Sequence, residues 1–162
     1  MVGAGSWGTT IAALASHNAH TMLWSRRAEL AEEINSLHTN SAYLGATALP
    51  DALQASSDLQ TALAHADVVA MAVPSQGFRE VSSEVSKYVR SGVPIISLSK
   101  GLEQSTFMRM SEVIEQIMPN NPVAVLSGPN LAKEILAGQP AASVIACTDE
   151  SVARELLEIF SR

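Results

Sequence analysis

Gly3-Ala4-Gly5-Ser6-Trp7-Gly8 is a Gly-x-Gly-x-x-Gly run that opens a helical pattern. Its glycines have separable jobs. Gly3 allows a tight turn from strand into helix, Gly5 has no Cβ to hold a pyrophosphate away from the backbone, and Gly8 lets the helix pack closely on a sheet. The free N–H groups of the first helical turn, with the helix dipole behind them, then hold phosphate charge. Glycine-rich turns are common, so the context decides what this one does. Trp7 either packs beneath a cofactor or staples the first helix.

Three more clusters carry chemistry. An NAD-specific site places Asp or Glu about 20 residues beyond the turn, on the ribose 2′-hydroxyl. Here Ser25, Arg26 and Arg27 stand in that place. Two guanidinium groups pair with an adenosine 2′-phosphate and stack on adenine, which favours NADP with NAD tolerated. The alternative, arginines that only solvate a helix start, sets two cations against the dipole. Lys100, between Ser99 and Gly101, either reaches a substrate phosphate or carbonyl or is a solvated loop lysine. Asn130, after Gly128-Pro129, is a helix N-cap, a donor to a substrate hydroxyl, or both. Lys133 and Glu134 read as an exposed helical face, and His17 and His20 as surface or turn residues.

These clusters need strands and helices to bring them together, and the chain alternates in that way. Ile11, Leu14 and Ala15 mark a helix over Thr9–Asn18, and His20–Trp24 reads as a strand. Ala28–Leu37 is helical, with Leu30, Ile34 and Leu37 as its apolar stripe. Residues 38–55 form a turn-rich connection containing Tyr43, Gly45 and Pro50. Asp58 caps a short helix to His65, and Asp67–Val73 is almost continuously apolar, as in a strand covered on both faces. Helices over Phe78–Tyr88, Met108–Met118, Asn130–Ala137 and Glu150–Phe160 alternate with strands over Val93–Leu98, Pro122–Leu126 and Ala142–Ala146. Alternation implies parallel pairing and right-handed crossovers, hence a Rossmann-type doubly wound, mainly parallel sheet with helices on both faces. Ligands bind beyond the carboxyl ends of such strands, where all four clusters fall.

Bulk properties narrow the function. With 162 residues one domain is expected. The net charge of −6 argues against a nucleic-acid face or a basic membrane anchor. No apolar run approaches the roughly 20 residues of a membrane span. Cys147 is the only cysteine, which excludes an intrachain disulfide and fits a reducing cytoplasm. The four histidines are scattered without metal-ligand spacing, so no metal site is expected. Only Met1 and Val2 precede the turn, against about five or six residues in an ordinary strand. The first strand is therefore expected to be truncated, with neighbouring backbone exposed and stability marginal.

GAGSWGT, LWSRR, NSAYLGATALP, AVPS, SKGLE and LSGPNLAKEILAGQPAA follow one another in that order. Together they resemble the bacterial NAD(P)-dependent glycerol-3-phosphate dehydrogenases over essentially the whole chain. The resemblance implies reduction of dihydroxyacetone phosphate to sn-glycerol 3-phosphate for glycerophospholipid synthesis. It implies that residues 1–162 form the NAD(P)-binding Rossmann domain, without the helical C-terminal domain that carries the principal catalytic lysine. A fragment of that kind is expected to be inactive alone, and the full-length protein to be a cytoplasmic homodimer. By matching motifs, Ser6 and Trp7 would line the pyrophosphate and nicotinamide path, and Arg26 and Arg27 the adenosine end. Lys100 would touch cofactor and substrate, Gly128 and Asn130 the substrate, and Ala132 the cofactor. The rivals are another dehydrogenase of the same superfamily and a non-catalytic NAD(P)-sensing module.

Overall fold

The computed structural model describes residues 1–161. The glycine turn leads into α1 (Ser6–Ala15), which buries Ile11, Ala12 and Ala15. It starts three residues before the apolar spacing indicates, because extended Gly5 serves as its N-cap. There follow β1 (Met22–Trp24), α2 (Ala28–Leu37), α3 (Ser41–Leu44), β2 (Gln54–Ser56) and α4 (Leu59–Leu63). Asp58 caps α4 as expected, its carboxylate accepting from the Thr61 N–H at 2.8 Å. The second half runs β3 (Val69–Met71), α5 (Phe78–Val85), β4 (Ile95–Ser97), α6 (Met110–Ile117), β5 (Val123–Ser127), α7 (Ala132–Leu136), β6 (Val144–Cys147) and α8 (Glu150–Phe160).

β1 pairs parallel to β2, with Leu23 opposite Ala55. β3, β4 and β5 pair parallel in turn, with Ala70, Ile96 and Ala124 in register. Met1–Gly3 joins these two groups. Val2 donates to Ala70 O at 2.7 Å and its carbonyl receives Ala72 N–H at 2.8 Å, while Trp24 N–H reaches Met1 O at 2.8 Å. The Met1 amino group donates to Met22 O. Val2 is fully buried. The exposed backbone anticipated beside a shortened first strand is thus largely paired, since both neighbouring strands are themselves only three residues long.

Helices cover both faces. Val69, Met71 and Ile95 point to α5 and α6, where they meet Phe78, Val81, Val113 and Ile114. Ala70, Ile96, Leu98 and Ala124 point the other way, toward Ile11 of α1 and Leu156 of α8. A third apolar group joins α2 to β1 and β2 through Leu23, Leu30, Ile34, Leu53 and Ala55. Continuous apolar strands follow from burial on both faces.

Four local expectations need correction. β6 runs antiparallel to β5, with Val125 opposite Ala146. The five residues of α7 rise only about 7.5 Å, and α7 packs on α1, so the chain re-enters the sheet from the end it left. The turn-rich stretch contains α3 and most of β2, whose three residues are too few to show alternation. Leu37, placed on the apolar stripe, is 68% exposed, one turn beyond the last buried residue of α2. The helix expected from Asn130 begins only at Ala132.

Candidate functional site

The carboxyl ends of the strands open into a cleft of about 800 Å³, within the range of small-molecule sites. One wall is the glycine turn. Gly3 has φ +109°, and a Cβ there would stand 2.6 Å from Ala72 O. A Cβ on Gly8 would stand 1.9 Å from Gly3 O and 3.0 Å from Ala72 Cβ, so this glycine serves the turn itself before it serves packing on the sheet. A Cβ on Gly5 would meet nothing within 4 Å. It would project into open space beside the cleft that Gly5 lines. The first N–H groups of α1 have no acceptor within the helix, the arrangement that receives an anion. Trp7 lines the same wall, and its Nε1 is buried without a partner among the described residues. The groups present therefore fit a dinucleotide: an open backbone approach, free donors and an unmet indole N–H.

Ser25, Arg26 and Arg27 lie at the end of β1, on the rim. Ser25 is buried, accepts from Arg27 N–H at 3.2 Å and donates to Arg27 O at 3.0 Å, which fixes the turn that presents both guanidinium groups. The Arg27 guanidinium sits 5.4 Å from the centroid of the Tyr43 ring. Tyr43 lines the cleft from α3 and carries no chemical signal in the sequence. It reaches the site because β2 pairs with β1 and folds the connection back.

Lys100 lies on the far side. Its Nζ is 3.4 Å from Gly128 O and 5.9 Å from the Trp7 ring centroid, within cation–π range. The neighbouring Ser99 hydroxyl donates to Val73 O at 2.6 Å, tying this loop to the end of β3. Asn130 is 9% exposed and lines the cleft with Leu131 and Ala132. It does not cap α7, whose N-cap is Leu131. Its Nδ2 donates instead to the Ser143 hydroxyl at 2.6 Å. Of the residues to which the sequence assigns a binding role, Gly128 alone is off the cleft lining. A Cβ there would meet Ala142 O at 2.5 Å and Asn130 Nδ2 at 2.7 Å, so its lack of a side chain lets Asn130 and the approach to β6 close up. His17, His20, Lys133 and Glu134 are exposed.

A brace missed in the sequence joins α5 to the loop three residues beyond Lys100. Arg79 Nε and one terminal nitrogen donate to the two Glu103 carboxylate oxygens at 2.7 and 2.9 Å, and Thr106 donates to the same carboxylate. These partners are 24 residues apart, so only folding pairs them. The Arg79 guanidinium, then the Thr106 hydroxyl, hold the Glu103 carboxyl down at about 2 from an ordinary 4.5. The folded chain therefore binds fewer protons than the unfolded one between those values, and stability rises with pH across them. The brace contributes fully above 4.5 and is lost as pH falls through about 2. Glu103→Gln is expected to lower the melting temperature by a few degrees at pH 6, with the gap to wild type closing toward pH 2. Melting curves at both pH values check this; a gap independent of pH would refute it.

A doubly wound sheet with this glycine turn and cleft is a Rossmann-type α/β protein. Residues 1–153 match the family described as NAD-dependent glycerol-3-phosphate dehydrogenase N-terminus, and the chain belongs to it. It is 52% identical over 160 residues to NAD(P)+ glycerol-3-phosphate dehydrogenase 2 of Sphingopyxis alaskensis, covering 99% of this chain and 48% of that one. It is 47% identical over 161 residues to the corresponding enzyme 1 of Mycobacterium bovis, covering 99% and 47%. The crystal structure of glycerol-3-phosphate dehydrogenase from Coxiella burnetii superposes with TM-score 0.92 at 30% identity, covering 99% of this chain and 50% of that chain. The chain spans about half the length of the curated relatives it matches. Among the described residues no helix is long and apolar enough to cross a membrane.

Proposed function

We propose that this chain is the NADP(H)-binding domain, residues 1–162, of a cytoplasmic, homodimeric enzyme that reduces dihydroxyacetone phosphate to sn-glycerol 3-phosphate for lipid synthesis. The observation that carries the reading is one cleft lined by the glycine turn, by Arg26 and Arg27, and by Lys100, Asn130 and Ala132. NADP(H) is favoured over NAD(H) because the residues after β1 are cationic, and like an NAD-specific carboxylate they stand where the adenosine ribose is held.

When bound, the nicotinamide supplies the hydride. The chain's own residues bind and orient. Gly5 and the first turn of α1 take the pyrophosphate, Arg26 and Arg27 the 2′-phosphate, and Trp7 and Ala132 the path to the nicotinamide. The Lys100 ammonium would touch both cofactor and substrate, and would stabilise negative charge developing on a substrate oxygen. Asn130, braced by Ser143, offers its remaining polar atom to a substrate hydroxyl, and Gly128 leaves room for that contact. The principal proton donor belongs to the part of the enzyme beyond residue 162, so the chain alone is expected to bind without turnover.

Calorimetric titration with NADPH and NADH tests the reading, with NADPH expected to bind more tightly. A chain that binds neither overturns it. NADPH oxidation dependent on dihydroxyacetone phosphate by these 162 residues alone would refute the division of labour.

A further inference from the structure

Asn40 is fully buried and lies outside the cleft lining. Its Nδ2 donates to Ala4 O at 3.1 Å and to Thr9 Oγ1 at 2.8 Å. Its Oδ1 has no partner among the described residues. The unmet Oδ1 costs stability, while the two bonds from Nδ2 keep Ala4 O and Thr9 Oγ1 satisfied.

What it holds is informative. Ala4 O and the Gly5 N–H belong to one planar trans peptide unit, so they point in opposite directions and turn together. Anchoring the carbonyl on Asn40 aims the Gly5 N–H away from Asn40. Two acceptors are met at once by one nitrogen, which an uncharged side chain can do only as a primary amide. The same residue opens α3, its carbonyl receiving Leu44 N–H at 2.8 Å and Tyr43 N–H at 3.2 Å. One side chain thus ties the glycine turn to the helix that carries the aromatic wall beneath Arg27.

We infer that Asn40 is a positioning residue for the adenosine–pyrophosphate half of the cofactor: it orients the Gly5 N–H and fixes Tyr43 against the turn. This rests on the dinucleotide-binding reading above. The test is calorimetry on the 162-residue chain and on Asn40→Leu and Asn40→Ala, at a temperature well below each melting point. The ligands are NADPH and 2′-phospho-ADP-ribose, which lacks the nicotinamide. Both substitutions are expected to weaken both ligands equally, by about tenfold, the size of one lost buried hydrogen bond. Asn40→Leu leaves Ala4 O and Thr9 Oγ1 without the amide and is expected to melt a few degrees below wild type. The equal loss for two ligands that share only the adenosine–pyrophosphate half, read on folded protein, is a signature that a purely structural role would not produce. Unchanged affinity, a loss confined to NADPH, or failure of both variants to fold would overturn the proposal while leaving wild-type binding, and the cofactor reading, intact. A wild-type chain that binds neither ligand overturns both.

Discussion

Gly8→Ala is expected to unfold the glycine turn, and Gly5→Ala to leave the fold intact while weakening its hold on the cofactor. The two residues are three apart in one motif, yet their surroundings are opposite. A Cβ on Gly8 would stand 1.9 Å from Gly3 O, a backbone atom that cannot rotate away as a side chain would. Gly3 N–H is bonded to Trp24 O at 3.1 Å, so moving Gly3 also disturbs the seam between Met1–Gly3 and β1. Such a clash belongs with the exceptional destabilisations of about 4 kcal/mol or more. A Cβ on Gly5 meets no protein atom within 4 Å, and as an N-cap change it costs about 1 kcal/mol or less. It would, however, stand where a pyrophosphate comes nearest the backbone, and NADPH affinity is expected to fall by more than about tenfold, or 1.4 kcal/mol. Denaturant melts and calorimetry on the two variants separate the effects. Gly8→Ala melting like wild type, or Gly5→Ala binding NADPH at wild-type strength, would contradict the assignment.

Replacing Arg26 and Arg27 together by Ala is expected to weaken NADPH by about a hundredfold and NADH by less than about fivefold. A hydrogen bond to a charged group contributes about 1.5–3 kcal/mol; both arginines are exposed, so solvent screening places two of them toward the lower end of their sum. The single variants should differ. Arg27 lies over Tyr43, a contact of about 0.5–1 kcal/mol at an exposed site, so Arg27→Ala should loosen the aromatic wall that both cofactors use. Arg26→Ala should act on NADPH alone. Lysine at either place keeps the charge but loses the planar fork, and should recover only part of the loss. Raising the salt concentration should narrow the NADPH advantage in the wild type and leave the double variant unaffected. Equal loss of NADPH and NADH in the double variant would mean that the arginines serve the start of α2 rather than a phosphate.

Local features were legible because their causes are local. The glycine spacing identified the turn, and Gly3 and Gly8 prove to be positions where a Cβ would meet backbone. Apolar runs at 69–71 and 95–97 identified strands covered on both faces, and Asp58 identified a cap. The order of SKGLE, SGPN and the other loops pointed to the family that the whole-chain comparison supports.

What the sequence determined by itself, then, is the Rossmann-type class, the family, and which loops carry polar and cationic groups at the ends of strands. Hydrophobic period, turn chemistry and chain order act over a few residues and can be read one after another. Only the tertiary structure decided that β6 runs antiparallel, that Asn130 is held by Ser143 instead of capping α7, that Arg79 pairs with Glu103, and that Tyr43 lines the cleft while Asn40 holds the glycine turn. Each of these depends on a partner between 13 and 36 residues away or on which end of the sheet a short helix leaves the chain. Long-range pairs leave no period in the sequence, and their hydrogen bonds exist only once burial has brought the elements together.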